Sequence, residues 1–206
     1  MAKVDYTKPD FWALKAQKER YPARSVYKLA ELTEKFPLLP RDLHTCKVLD
    51  LGAAPGSWSL FLLRKFKGRG FLASADLVPL SRRDDQGLFD GKNFFFLQGD
   101  LTLAENRDAL TTKGPYNLLI SDAAPATSGN RSVDTLRSLA LAEEVLRYAE
   151  TALAGGGNMA VKVFQGGDTA ALLKRIRELF KTGKSFKPEA CRPGSFETYY
   201  VGLEKK

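Results

Sequence analysis

From position 47 onward the chain alternates short apolar runs with longer amphipathic stretches. The runs at 47–51, 71–75, 94–98, 116–121, 158–164 and 199–203 are too short for helices and read as strands. Between them, 57–67, 132–153 and 168–180 have helical periodicity; in the last, Leu172, Ile176, Leu179 and Phe180 fall on one stripe. Ahead of them, 10–20 and 25–36 read as two helices. The second puts Val26, Leu29, Leu32 and Phe36 on one face, with Ser25 at the N-cap position and Lys28 in the first turn. Strands alternating with helices predict βαβ units, hence an α/β fold with a mostly parallel sheet and helices on both faces. Residues 82–92 form the only polar stretch long enough for a mobile loop, and no internal repeat interrupts the pattern.

A length of 206 residues with 44% hydrophobic content suits one domain, 1–206, with 1–46 as a helical extension and 47–206 as the sheet core. No apolar run reaches the roughly 18 residues of a membrane span, and Met1-Ala2-Lys3-Val4-Asp5-Tyr6-Thr7-Lys8 has no signal-like apolar stretch, so a cytoplasmic protein is expected. Cys46 and Cys191 lack CxxC spacing and point to neither a disulfide framework nor zinc. With His44 as the single histidine, no metal-ligand cluster is present and activity without a metal is expected. A monomer is the expected state.

Charge adds a partner to this picture. The formal net charge is +8, and it is uneven: residues 1–47 carry 10 Lys/Arg against 6 Asp/Glu, 48–173 carry 13 against 14, and 174–206 carry 9 against 4. A near-neutral middle flanked by basic ends is the footprint of a surface that meets a polyanion such as RNA, although a generic basic surface reads the same way from charge alone.

Open parallel sheets bind ligands beyond the carboxyl ends of their strands. Asp50, Asp76, Asp100, Asp122 and the segment Val161-Lys162-Val163 all lie at such ends. The first strand runs into Asp50-Leu51-Gly52-Ala53-Ala54-Pro55-Gly56-Ser57-Trp58, where Gly52 and Gly56 let the backbone turn and approach a ligand. The missing third glycine and Pro55 separate this turn from the pyrophosphate-binding GxGxxG pattern. Asp76 is placed to accept both hydroxyls of a ribose, and an acceptor at Asp100 suits an exocyclic amine. A nucleoside with a cationic amino-acid tail fits this set, and S-adenosylmethionine is that molecule.

Five blocks carry a family resemblance: Ala23-Arg24-Ser25-Val26-Tyr27-Lys28, the glycine turn, Ser121-Asp122-Ala123-Ala124-Pro125, Val161-Lys162-Val163-Phe164-Gln165-Gly166, and Ser195-Phe196-Glu197-Thr198-Tyr199. In this order they resemble the FtsJ/RrmJ family of RNA ribose 2′-O-methyltransferases. The resemblance implies a Rossmann-like seven-stranded methyltransferase sheet and a catalytic tetrad at Lys28, Asp122, Lys162 and Glu197. It also implies cofactor contacts at Gly56, Trp58, Asp76, Asp100 and Asp122. Gly52, Ala53, Pro55 and Ser57 of the same turn, with Leu77 and Leu101 beside the two acids, complete the candidate set. Departures are Ser57 for a usual glycine, Leu80 for a common Met, a longer 82–92 segment, and Cys191-Arg192-Pro193-Gly194-Ser195 in place of a Ser/Arg-rich run.

Methyl transfer from a sulfonium is an in-line displacement, so the site must hold the ribose oxygen opposite sulfur and remove its proton. A lysine serves as base only when neutral, which favours a candidate in apolar surroundings near another cation. Lys162, inside Met159-Ala160-Val161-Lys162-Val163-Phe164, meets the first condition, and Lys28 would be the neighbouring cation. Asp122 would orient the amine or the hydroxyl, and Glu197 would fix Lys28 or the ribose. Base-nitrogen methylation would call for an aromatic after Pro125, where Ala126 and Thr127 stand. Base-carbon methylation would need Cys191 as nucleophile, supported only by Arg192. A non-catalytic RNA-binding module, a small-molecule O-methyltransferase and a tRNA-directed enzyme are the other readings. The resemblance and the basic ends favour a uridine ribose of structured large-subunit ribosomal RNA.

Overall fold

The computed structural model describes residues 9–206. The first part of the expected RNA-facing extension, residues 1–8, lies outside the described residues. Two helices, α1 (Phe11–Lys18) and α2 (Val26–Lys35), precede an alternating array. It runs β1 (Lys47–Leu51), α3 (Ser57–Phe66), β2 (Phe71–Asp76), β3 (Phe94–Gln98), α4 (Ala104–Thr111), β4 (Tyr116–Ser121), α5 (Arg131–Ala152), β5 (Leu153–Phe164), α6 (Thr169–Leu179), β6 (Phe180–Phe186) and β7 (Glu197–Lys205). The seven strands form one sheet of order β3-β2-β1-β4-β5-β7-β6, with β7 antiparallel to both neighbours and the rest parallel.

Alternation along each strand sends neighbouring side chains to opposite faces. Leu49 and Leu51 of β1, Leu119 of β4 and Met159, Val161 and Val163 of β5 pack with α5 and α6 on one face. Val48, Leu118, Ile120 and Ala160 pack with α2 and α3 on the other. Lys162 shares the parity of Ala160, so it belongs to the α2 side. That helix buries Leu29 and Leu32 completely, each worth roughly 1.5–3 kcal/mol, and so fixes the neighbouring Lys28 against the sheet.

Three local expectations are corrected. Ser25 precedes α2, but its side chain makes no cap hydrogen bond because its own backbone is already helical. Residues 82–92 are not a free loop: a 3-10 turn at Leu88–Asp90 buries Phe89 against Phe94 at 5.0 Å, and Arg82 pairs with Asp85 at 2.9 Å. The expected strand at 158–164 extends back to Leu153 through Gly155, Gly156 and Gly157, with a register irregularity opposite Tyr116 and Leu118.

Candidate active site

The strand order reverses between β1 and β4, and the carboxyl ends of these two strands diverge into a crevice. Gly52 opens it with φ +75°; a Cβ there would come within 2.4 Å of Ala123 Cβ, so only glycine lets the β1 turn lie against the end of β4. A cavity of about 510 Å³ follows, walled by Gly52, Pro55, Asp76, Leu77, Asp100, Leu101, Asp122 and Lys162 among others. Asp76 accepts the Ala54 amide on Oδ2 at 2.8 Å and the Val78 amide on Oδ1 at 3.1 Å, which fixes the carboxylate while leaving a lone pair on each oxygen. Asp100 accepts the Thr102 amide at 2.9 Å and its hydroxyl at 2.8 Å, and these bonds hold its carboxyl below the usual range.

Four expected cofactor contacts are not on this wall. Ala53, Gly56, Ser57 and Trp58 are buried, and none of them lines the cavity. Gly56, at φ +105°, packs against Phe89. The Ser57 hydroxyl accepts the Ala23 amide at 2.7 Å, so this departure from the family glycine anchors the segment leading into α2. Trp58 Nε1 donates to the Ser25 carbonyl at 2.7 Å, fixing the start of the same helix. These residues shape the site from behind.

The four tetrad candidates do come together, as two linked pairs. Lys28 Nζ lies 2.9 Å from Glu197 Oε1, and Lys162 Nζ lies 3.0 Å from Asp122 Oδ1. Lys162 also donates to the Asp122 carbonyl, and Tyr199 donates its hydroxyl to Asp122 Oδ1. Register explains the convergence: Lys162 pairs with Tyr199 and Phe164 with Glu197 across β5 and β7. Burial by itself would disfavour an ionised Asp122, but Lys162, Lys28 and the Tyr199 hydroxyl outweigh it and hold the carboxyl below its usual range. For Lys28, burial opposes the ammonium, yet Asp122 and Glu197 prevail and raise its pKa. Burial first, and then the Asp122 and Glu197 charges, push the Tyr199 hydroxyl well above its ordinary value, so it stays a donor.

A second cavity, of about 620 Å³, adjoins this group; Lys28, Glu197, Arg24, Arg192, Phe164 and Phe196 line it. Ser25 borders both cavities. Tyr199 and Phe196 lie in a family block without a role read from sequence, and Ser25 was read only as a helix cap. The pairing partner of a candidate base would have pointed to Tyr199, whose ring also lies 5.8 Å from Trp58 and 6.0 Å from Lys28 Nζ. Cys191 is buried, and burial followed by the Glu197 charge pushes its thiol up to about 12, which makes it a poor nucleophile. His44 is exposed, against Arg69. Among the described residues no group of His, Cys, Asp and Glu could hold a metal, and no helix is long and apolar enough to cross a membrane.

Residues 21–205 match the family model described as FtsJ-like methyltransferase. The chain belongs to this family. Relatives of the FtsJ-like chain include the Ribosomal RNA large subunit methyltransferase E of Treponema denticola, 50% identical over all of both chains. The protein of the same name from Borreliella afzelii is 43% identical over 94% of this chain and 96% of its own. Among solved structures, one described as a ribosomal RNA methyltransferase from Plasmodium falciparum superposes with a TM-score of 0.72 at 24% identity, covering 90% of this chain and 98% of that one. The FtsJ-like chain thus has the Rossmann-like seven-stranded methyltransferase fold.

Proposed function

We propose that this protein transfers a methyl group from S-adenosylmethionine to a ribose 2′-hydroxyl, on a uridine of large-subunit ribosomal RNA, with Lys162 as general base. The observation that carries this reading is the position of the tetrad between two cavities. Asp122 and Lys162 face one, Lys28 and Glu197 face the other, and an in-line displacement needs donor and acceptor on opposite sides of the moving group.

The donor side suits S-adenosylmethionine. Asp76 keeps lone pairs for a ribose diol, Asp100 offers an acceptor for an amine, and Gly52, Pro55, Leu77, Leu101 and Asp122 complete the enclosure. When bound, the cofactor supplies a methyl group activated by a sulfonium. Lys162 has two acceptors on Asp122, its Oδ1 and its backbone carbonyl. In the neutral amine these take up both N–H groups and aim the lone pair away from Asp122, toward a substrate hydroxyl. Lys28, kept cationic and clamped by Glu197, supplies fixed positive charge where the ribose oxygen gains negative charge. Tyr199 donates to Asp122 Oδ1 and Glu197 pairs with Lys28, so each lysine keeps a carboxylate partner.

Asp76→Ala is expected to weaken S-adenosylmethionine binding roughly tenfold to a hundredfold, the loss of charge-assisted hydrogen bonds to a diol. Isothermal titration checks it, and an unchanged affinity would remove the cofactor assignment. The relatives named above and the basic ends support ribosomal RNA as the target. A small domain that binds mainly through phosphates reads shape and loses affinity steeply with salt. Labelled-methyl transfer is therefore expected to be faster on isolated large subunits than on naked transcript; efficient transfer to tRNA with none to either ribosomal substrate would overturn the target and leave the chemistry standing.

A further inference from the structure

The cavity on the acceptor side holds an aromatic pair that the core does not explain. Phe164 and Phe196 meet edge to face at 4.7 Å between ring centroids and 62° between planes. Phe164 is buried, yet neither ring joins any of the three apolar clusters of the core, and Phe196 is only half-buried. Its position is nevertheless fixed. The Gln165 amide donates to the Phe196 carbonyl at 2.7 Å, and β5–β7 pairing sets Phe164 opposite Glu197, the next residue in the chain. The Arg131 guanidinium, at the start of α5, stands 5.3 Å from the Phe196 ring centroid.

Ribose chemistry says what such a ring is near. The carbon bearing the 2′-hydroxyl is bonded directly to the carbon bearing the base, so the base of a ribose offered to Lys28 lies within reach of the cavity that Lys28 lines together with Phe164 and Phe196. We propose that Phe196, backed by Phe164, is the surface on which the base of the target nucleotide stacks, with Arg131 placed to meet a phosphate beside it. The assignment rests on the ribose-methylation reading above. Aromatic faces stack any base, so this contact holds the nucleotide in place while the surrounding RNA shape supplies the choice of site.

The test compares wild type, Phe196→Leu and Phe196→Tyr on a synthetic RNA stem-loop carrying the mapped target nucleotide, and on the same RNA with an abasic ribose there. On intact RNA, Phe196→Leu is expected to raise KM roughly tenfold to a hundredfold, as loss of one stacked base does, while Phe196→Tyr stays near wild type. On abasic RNA the three proteins are expected to coincide, and their affinities for S-adenosylmethionine to agree throughout. A Phe196→Leu defect as large on abasic as on intact RNA, or a Phe196→Tyr defect equal to that of Phe196→Leu, overturns the stacking role alone. A wild-type product methylated on a base rather than on the ribose overturns the underlying reading and the assignment with it.

Discussion

Lys162→Arg is expected to lower turnover by roughly 10²–10⁴-fold while affinity for S-adenosylmethionine changes little. Arginine keeps a cation within reach of Asp122, so a residue acting only as a positive charge would tolerate the change. A guanidinium cannot give up its proton near neutral pH and therefore cannot accept one from a hydroxyl. Lys162→Met removes both functions and is expected to fall at least as far. Lys162 is 8% exposed on the α2 side of β5, where it pairs across the sheet with Tyr199, so methionine fills its space; Asp122 keeps Tyr199 as a donor and Lys28 as a counter-charge. Single-turnover methylation with labelled cofactor, beside calorimetry on the same preparations, separates chemistry from binding. Arginine-variant turnover within tenfold of wild type would end the general-base assignment.

The parts of this site that were legible from sequence are those whose signal is local. Each strand-end acid follows an apolar run, and the β1 turn carries glycines where φ is positive, so Asp76, Asp100 and Gly52 could be placed on the cavity before any coordinates. Two elements escaped because their apolar pattern is weak. Helix α4 buries only Leu110 and has almost no apolar stripe, whereas β6 alternates weakly and bears Lys181 and Lys184, as suits an edge strand paired on one side only. The pairing of Lys28 with Glu197 was unreadable from spacing, because it depends on β7 turning antiparallel beside β5 and on α2 packing over the sheet. The family resemblance put both residues in one tetrad and left open whether Glu197 fixes Lys28 or the ribose; the 2.9 Å ion pair is read from the structure. For Trp58 the resemblance implied a cofactor contact; the ring is buried behind the cavity wall and its indole N–H donates to the Ser25 carbonyl.

Asp50→Asn is expected to change how stability depends on pH, with an effect that grows by ~4 kcal/mol between about pH 4 and pH 8. Asp50 is fully buried at the end of β1; Oδ2 accepts the Ser59 hydroxyl at 2.7 Å, while Oδ1 has no protein partner. Burial, only partly relieved by that hydrogen bond, and then the Asp122 and Asp76 charges raise its pKa to about 7. Between the unfolded carboxyl range and about pH 7 the native protein therefore holds a proton that the unfolded chain has released. Stability from this group is complete below about pH 4 and is lost as pH rises toward and through 7. Asp122 is displaced the other way, so its contribution is lost only as pH falls below the usual carboxylate range, outside this window. Asparagine keeps the shape and an acceptor for Ser59 but cannot ionise, so the variant should lack the decline and overtake wild type at neutral and higher pH. A neutral group at position 50 also spares Asp122 the repulsion of a second anion, which ties this proton to the charge that orients Lys162. Urea unfolding of both proteins at several pH values from 4.5 to 8 measures the difference directly; curves that stay parallel across that range would show that Asp50 ionises in the fold as it does in the unfolded chain.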